Sequence, residues 1–90
     1  MPYVSKKDRV PLELTRNAKT PGELNYLLTV TALDYLDHHK LNYETLNAII
    51  GAFESAKREF QRRVVDPYED DKMRHNGDLD QYDHWRRVIG

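Results

Sequence analysis

The 90 residues contain no cysteine. That excludes a disulfide framework, a thiolate metal site and a cysteine nucleophile, and it suits a chain kept in a reducing interior. Neither sign of charge dominates, since 14 Lys and Arg stand against 15 Asp and Glu. The basic excess that duplex DNA or an anionic membrane asks for is therefore missing, and nucleic acid is not expected as a partner. No stretch approaches the ~20 apolar residues of a membrane span. The opening run Met1 to Lys7 has no apolar core of the kind that marks a secretion signal. These absences lead us to expect a soluble, cytoplasmic chain. Glycine is scarce as well, with four in all, and none forms a phosphate-cradling loop ahead of a helix. The two serines, Ser5 and Ser55, have no companion motif for nucleophilic catalysis. The expectation is that the chain is not an enzyme.

What is present is helix punctuation. Thr20-Pro21-Gly22-Glu23, Asn42-Tyr43-Glu44-Thr45, Asp66-Pro67-Tyr68-Glu69 and Asp78-Leu79-Asp80-Gln81 each read as a helix start, with a capping side chain followed in most by an acid or amide three residues on. They predict an all-α fold, a small bundle of three to four helices. An N-terminal arm, residues 1–19, precedes the helical domain of residues 20–90, and supports at most one short helical piece around Pro11 to Ala18. The first long helix runs from Pro21 to about His39 and the second from about Tyr43 to Val65. Their short link predicts an antiparallel hairpin. At Asp66-Pro67 the chain is expected to stop and restart, because proline breaks the hydrogen-bond ladder and disfavours helical geometry in the residue before it. Asn76-Gly77 should end the next helix through a left-handed cap, and Asp78 should cap the last one.

The second helix has the clearest pattern, with Leu46, Ile49, Ile50, Phe53, Ala56, Phe60 and Val64 on one stripe at the helical period. This stripe is expected to be core. Opposite it stand Ala48, Gly51, Ala52 and Ser55, small residues that would admit a second backbone. The first helix is apolar nearly all round, through Leu24, Leu27, Leu28, Val30, Leu33, Tyr35 and Leu36. A chain this short buries only about 60–65% of its unfolded surface. The excess apolar surface therefore points to a homo-oligomer. The final helix gathers Leu79, Tyr82, Trp85, Val88 and Ile89 on one side, and Trp85 with Tyr82 would anchor it to a partner.

Chemistry-bearing clusters are few. Asp34 and His38 share a helix face, but no two histidines lie four apart, so neither a metal nor another cofactor is expected. The corner after the second helix brings Arg62 and Arg63 near Tyr68, types suited to a small phosphorylated ligand. The plainer reading is that Glu54 pairs with Arg58 and Glu59 with Arg63 along the helix. Asn25 and Tyr26 are polar residues within an apolar helix and need partners, which backbone, another protomer or a ligand could each supply.

Three segments carry a resemblance: Gly22-Glu23-Leu24-Asn25-Tyr26, then Asn47-Ala48-Ile49-Ile50-Gly51 with Glu54 and Lys57, and then Arg62 to Asp70 followed by Asn76-Gly77-Asp78. In these the chain resembles a family of short, uncharacterised proteins from tailed-phage and environmental genomes. The resemblance covers about residues 1–80 and is most specific from Arg62 to Asp78. The chain departs from the pattern beyond Leu79. It implies a setting, the cytoplasm of an infected bacterium, and no reaction. Two functions follow as expectations: a non-catalytic homo-oligomeric module that holds a phosphorylated or nucleotide-like ligand, or a module that docks on a host or phage protein through its last helix.

Overall fold

The computed structural model describes residues 4–90, and every described element is helical. The elements are α1 (Lys6–Thr15), α2 (Pro21–Asp37), α3 (Tyr43–Phe60), a π-helical turn (Gln61–Val65), α4 (Asp66–Asn76) and α5 (Asp80–Ile89). There is no strand among the described residues, so the all-α class holds. The chain divides into two compact units, Met1–Gly51 and Ala52–Gly90.

In the first unit α1 packs on α2. It begins where the Ser5 hydroxyl meets the Asp8 carboxylate at 2.7 Å and ends at Arg16, whose left-handed φ of 58° lets its N–H reach the Leu12 carbonyl. The helix thus starts five residues earlier than the expected piece around Pro11 to Ala18, and Pro11 lies inside it. Proline removes one N–H here, but Leu12, 8% exposed, is buried beside it. Burial of an apolar side chain outweighs the lost bond. Val4 is the other buried apolar residue among the described residues, and its carbonyl accepts the Arg9 Nε–H at 3.1 Å.

The start of α2 is the expected one. The Glu23 N–H donates to Thr20 Oγ1 at 3.1 Å, while the Glu23 carboxylate accepts the N–H of Lys19, one residue before the cap. At the other end the rings of His38 and His39 turn back onto the carbonyls of Asp34 and Tyr35, at 2.7 and 2.6 Å. Asn42 Oδ1 then accepts the Thr45 N–H at 2.9 Å and caps α3. Each end of this link is tied to its own helix. Within the first unit the packed pair is α1 on α2, and the expected antiparallel packing of α2 on α3 is not seen.

The second unit corrects the expectation at Pro67. The backbone neither stops nor turns there: Val65 (φ −69°, ψ −49°) and Asp66 (φ −62°, ψ −47°) are both right-handed helical. The Asp66 N–H reaches back to the Gln61 carbonyl, five residues away. One wide turn absorbs the register that proline's missing donor would otherwise break. The helix therefore runs without interruption from Tyr43 to Asn76. It ends at Gly77 as expected, but not in the left-handed cap: Gly77 has φ 81° and an extended ψ of 149°, and donates its N–H to the Met73 carbonyl at 2.8 Å. Asp78 is not the cap of α5. Leu79 holds that position, and the Asp78 carboxylate instead accepts the Leu79 N–H and the Arg86 guanidinium, at 2.8 and 3.1 Å.

Candidate interaction surface

The apolar stripe of α3 is where sequence and structure differ most. Expected as core, it is surface: Ile50 is 66% exposed, Phe53 40%, Phe60 60% and Val64 52%. The periodicity is as read up to Phe60, but among the described residues no other helix packs on α3. The one buried residue of α3 is Thr45, at its capped end. Leu24, Leu28 and Tyr35 form a second exposed apolar row, on α2. They stand four and seven residues apart and so share one face of that helix.

On α5 the apolar side expected from the sequence is present and open, with Tyr82, Trp85 and Ile89 all more than half exposed. The Trp85 ring meets the edge of His84 at 5.2 Å. The polar side is organised by Arg86, which bridges the carboxylates of Asp78 and Asp83. An open depression of about 570 Å³ lies against this bridge, lined by Asp70, Met73, Arg74, Asp78, Asp83 and Arg86. Three aspartates against two arginines leave it with a small acidic excess, which does not suit a phosphorylated ligand.

Arg62 and Arg63 both lie in the π turn. Arg63 pairs with Glu59 at 3.2 Å, as expected for residues four apart. The expected Glu54 to Arg58 pair does not form. Tyr68, in the first turn of α4, is exposed and lies under the Lys72 ammonium, 5.4 Å from its ring centre. Arg63 and Tyr68 are thus each engaged by a neighbour four residues away on the same helix, and the structure does not bring Arg62, Arg63 and Tyr68 together.

Asn25 and Tyr26 belong to the first unit. The Asn25 side chain is exposed, while its carbonyl accepts the Thr29 hydroxyl at 2.9 Å. Tyr26 is half-buried and donates its phenol to Glu13 Oε2 of α1 at 2.9 Å. Burial raises the phenol pKa above its ordinary value, the Glu13 carboxylate raises it further, and Arg9 pulls weakly the other way. The partner that Tyr26 required is thus α1, a contact that the sequence could not reveal because the two residues are thirteen apart.

The small residues Ala48, Gly51, Ala52 and Ser55 are exposed, and a Cβ built on Gly51 would meet nothing within 4 Å. Among the described residues no other helix packs on α3, so none approaches them. Among the described residues no helix is long and apolar enough to cross a membrane.

A small all-helical chain with its amphipathic faces open is the class that this geometry defines. The chain belongs to the family described as a domain of unknown function (DUF6899), whose profile matches residues 1–79. The match ends one residue before α5 begins. Comparison with curated proteins finds no match, and neither does comparison with solved structures.

Proposed function

We propose that this chain is a non-catalytic assembly module that works as a homo-oligomer. The observation that carries this reading is the open stripe of α3, from Leu46 to Phe60, in an otherwise well-formed amphipathic helix. Leaving such a row in water forfeits roughly 1.5–3 kcal/mol for each large apolar side chain. A second protomer would recover it. The resemblance to phage and environmental proteins suggests the cytoplasm of an infected bacterium as the setting. Arg62, Arg63 and Tyr68 are the residues through which the assembled form would take a small phosphorylated ligand. Their distribution along one helix asks for a second surface to complete any pocket.

Native mass spectrometry on gently purified protein tests both parts, since it reports subunit number and retained small molecules together. An oligomer is expected. A monomer at every concentration would remove the reading, and an empty oligomer that shows no thermal shift across a nucleotide panel would remove the ligand.

A second reading has its own observation. Helix α5 lies outside the family match, and its Trp85 is 57% exposed. In this reading α5 docks on a host or phage protein with Trp85 as anchor. Unchanged partner recovery after removal of residues 79–90 would dismiss it.

A further inference from the structure

The open stripe of α3 has a spacing that selects its occupant. Ile50, Phe53, Lys57 and Phe60, all within α3, follow one another at intervals of three, four and three. This is the seam of a two-helix coiled coil, with one lysine inside it. The sequence of intervals reads the same from either end. Turned end to end about a point beside Ser55, the row falls on itself: Ile50 lies across from Phe60 and Phe53 from Lys57.

We infer that α3 pairs with α3 of a second copy of this chain, antiparallel and in that register. The inference rests on the homo-oligomer reading above and adds the surface, the direction and the register.

Charge decides the direction. Parallel pairing would set Lys57 against Lys57 of the other copy within an apolar seam, where two like charges share a desolvated layer. In the antiparallel pair each Lys57 lies across the Phe53 ring of the other copy and beside its Glu54, one residue along. Both groups are available, because among the described residues neither Glu54 nor Lys57 forms an ion pair within its own chain, whereas the neighbouring Glu59 is held by Arg63. Two lysines and two glutamates then alternate around the two-fold axis.

The pairing also sends Ala48, Gly51, Ala52 and Ser55 to the outside of the dimer, where the structure leaves them in open space.

The absence of native cysteine makes the test clean. In the full chain, Glu44→Cys carries a spin label on the outer side of α3. Its counterpart in the antiparallel dimer stands about 33 Å along the axis, at 1.5 Å per residue, whereas in a parallel dimer the two stand side by side. In parallel, E54K and K57E chains are compared by sedimentation. Each alone sets like charges together across the axis and is expected to weaken its homodimer about tenfold, while an equal mixture regains affinity as a heterodimer. A wild-type monomer at hundreds of micromolar overturns both the homo-oligomer reading and this pairing. A dimer with adjacent labels, an assembly of another number, or an E54K homodimer as tight as wild type overturns the pairing alone.

Discussion

The phenol of Tyr26 on α2 and the carboxylate of Glu13 on α1 share a 2.9 Å hydrogen bond, the side-chain hydrogen bond that joins two helices among the described residues. Its proton gives it a pH limit. The folded state raises the phenol pKa above its usual 10.0, so the protonated form is the one that the fold favours. The bond's contribution is complete below pH 10 and is lost as the pH climbs through the raised value. Unfolding of wild type and Tyr26→Phe followed between pH 8 and 11.5 should show a gap that closes at the alkaline end. A gap that is constant across that range would deny the coupling.

Leu12 supplies much of the burial that holds α1 to α2. Leu12→Ala is expected to cost about 2 kcal/mol, the lower end for a buried leucine because the neighbours are few. Hydrogen exchange should locate the loss in Lys6–Thr15. Exchange rates there that match wild type would show that α1 is held by something else.

Gly77 sits at φ 81°, where a side chain strains the backbone. Gly77→Ala should therefore destabilise the end of α4 by about 1 kcal/mol. Gly51→Ala should act in the opposite direction by a similar amount, because Gly51 lies in a helix interior with open space at its Cβ. Chemical denaturation of the two variants provides the comparison, and the same sign for both would contradict it.

Pro67 explains the π turn if its missing N–H is the cause. Pro67→Ala restores a donor, so the regular ladder can run through Gln61–Val65. Stability is expected to rise by about 1 kcal/mol with helical content unchanged, as read by circular dichroism and amide shifts. A retained wide turn in that variant would assign its cause to the arginines or to Val64 and Val65 instead.

Legibility followed range. Thr20 and Asn42 act within three residues of themselves, and their roles were readable as written because a cap needs only its own turn. The same holds for Glu59 with Arg63, whereas Gly77 was readable as the end of α4 but not in its conformation. The α3 stripe was legible as a pattern, but periodicity says which side of a helix is apolar and not what covers it. Its reading as core assumed a partner from the same chain. Pro67 misled for a different reason: the rule that proline ends a helix presumes an α-helical ladder, and one five-residue step back from Asp66 to Gln61 evades it. Arg62, Arg63 and Tyr68 were correctly seen as neighbours in sequence, and the continuous helix disperses them along its surface instead of gathering them at a corner. The Asp78 bridge to Arg86 spans eight residues and had no local signal.

The wide turn at Gln61–Val65 has one more effect. An additional residue in a turn of 3.6 rotates everything after it by about 100°. Within the second unit the helical residues before and after the turn thereby acquire two bearings. The phenyl rings of Phe53 and Phe60 look one way, and the side chains of α4 that follow are swung out of line with them, so a partner zipped along α3 runs out of matching surface at the turn. The length of any seam is thus capped by a change of phase and not by the end of the helix, and α4 is left to address something else.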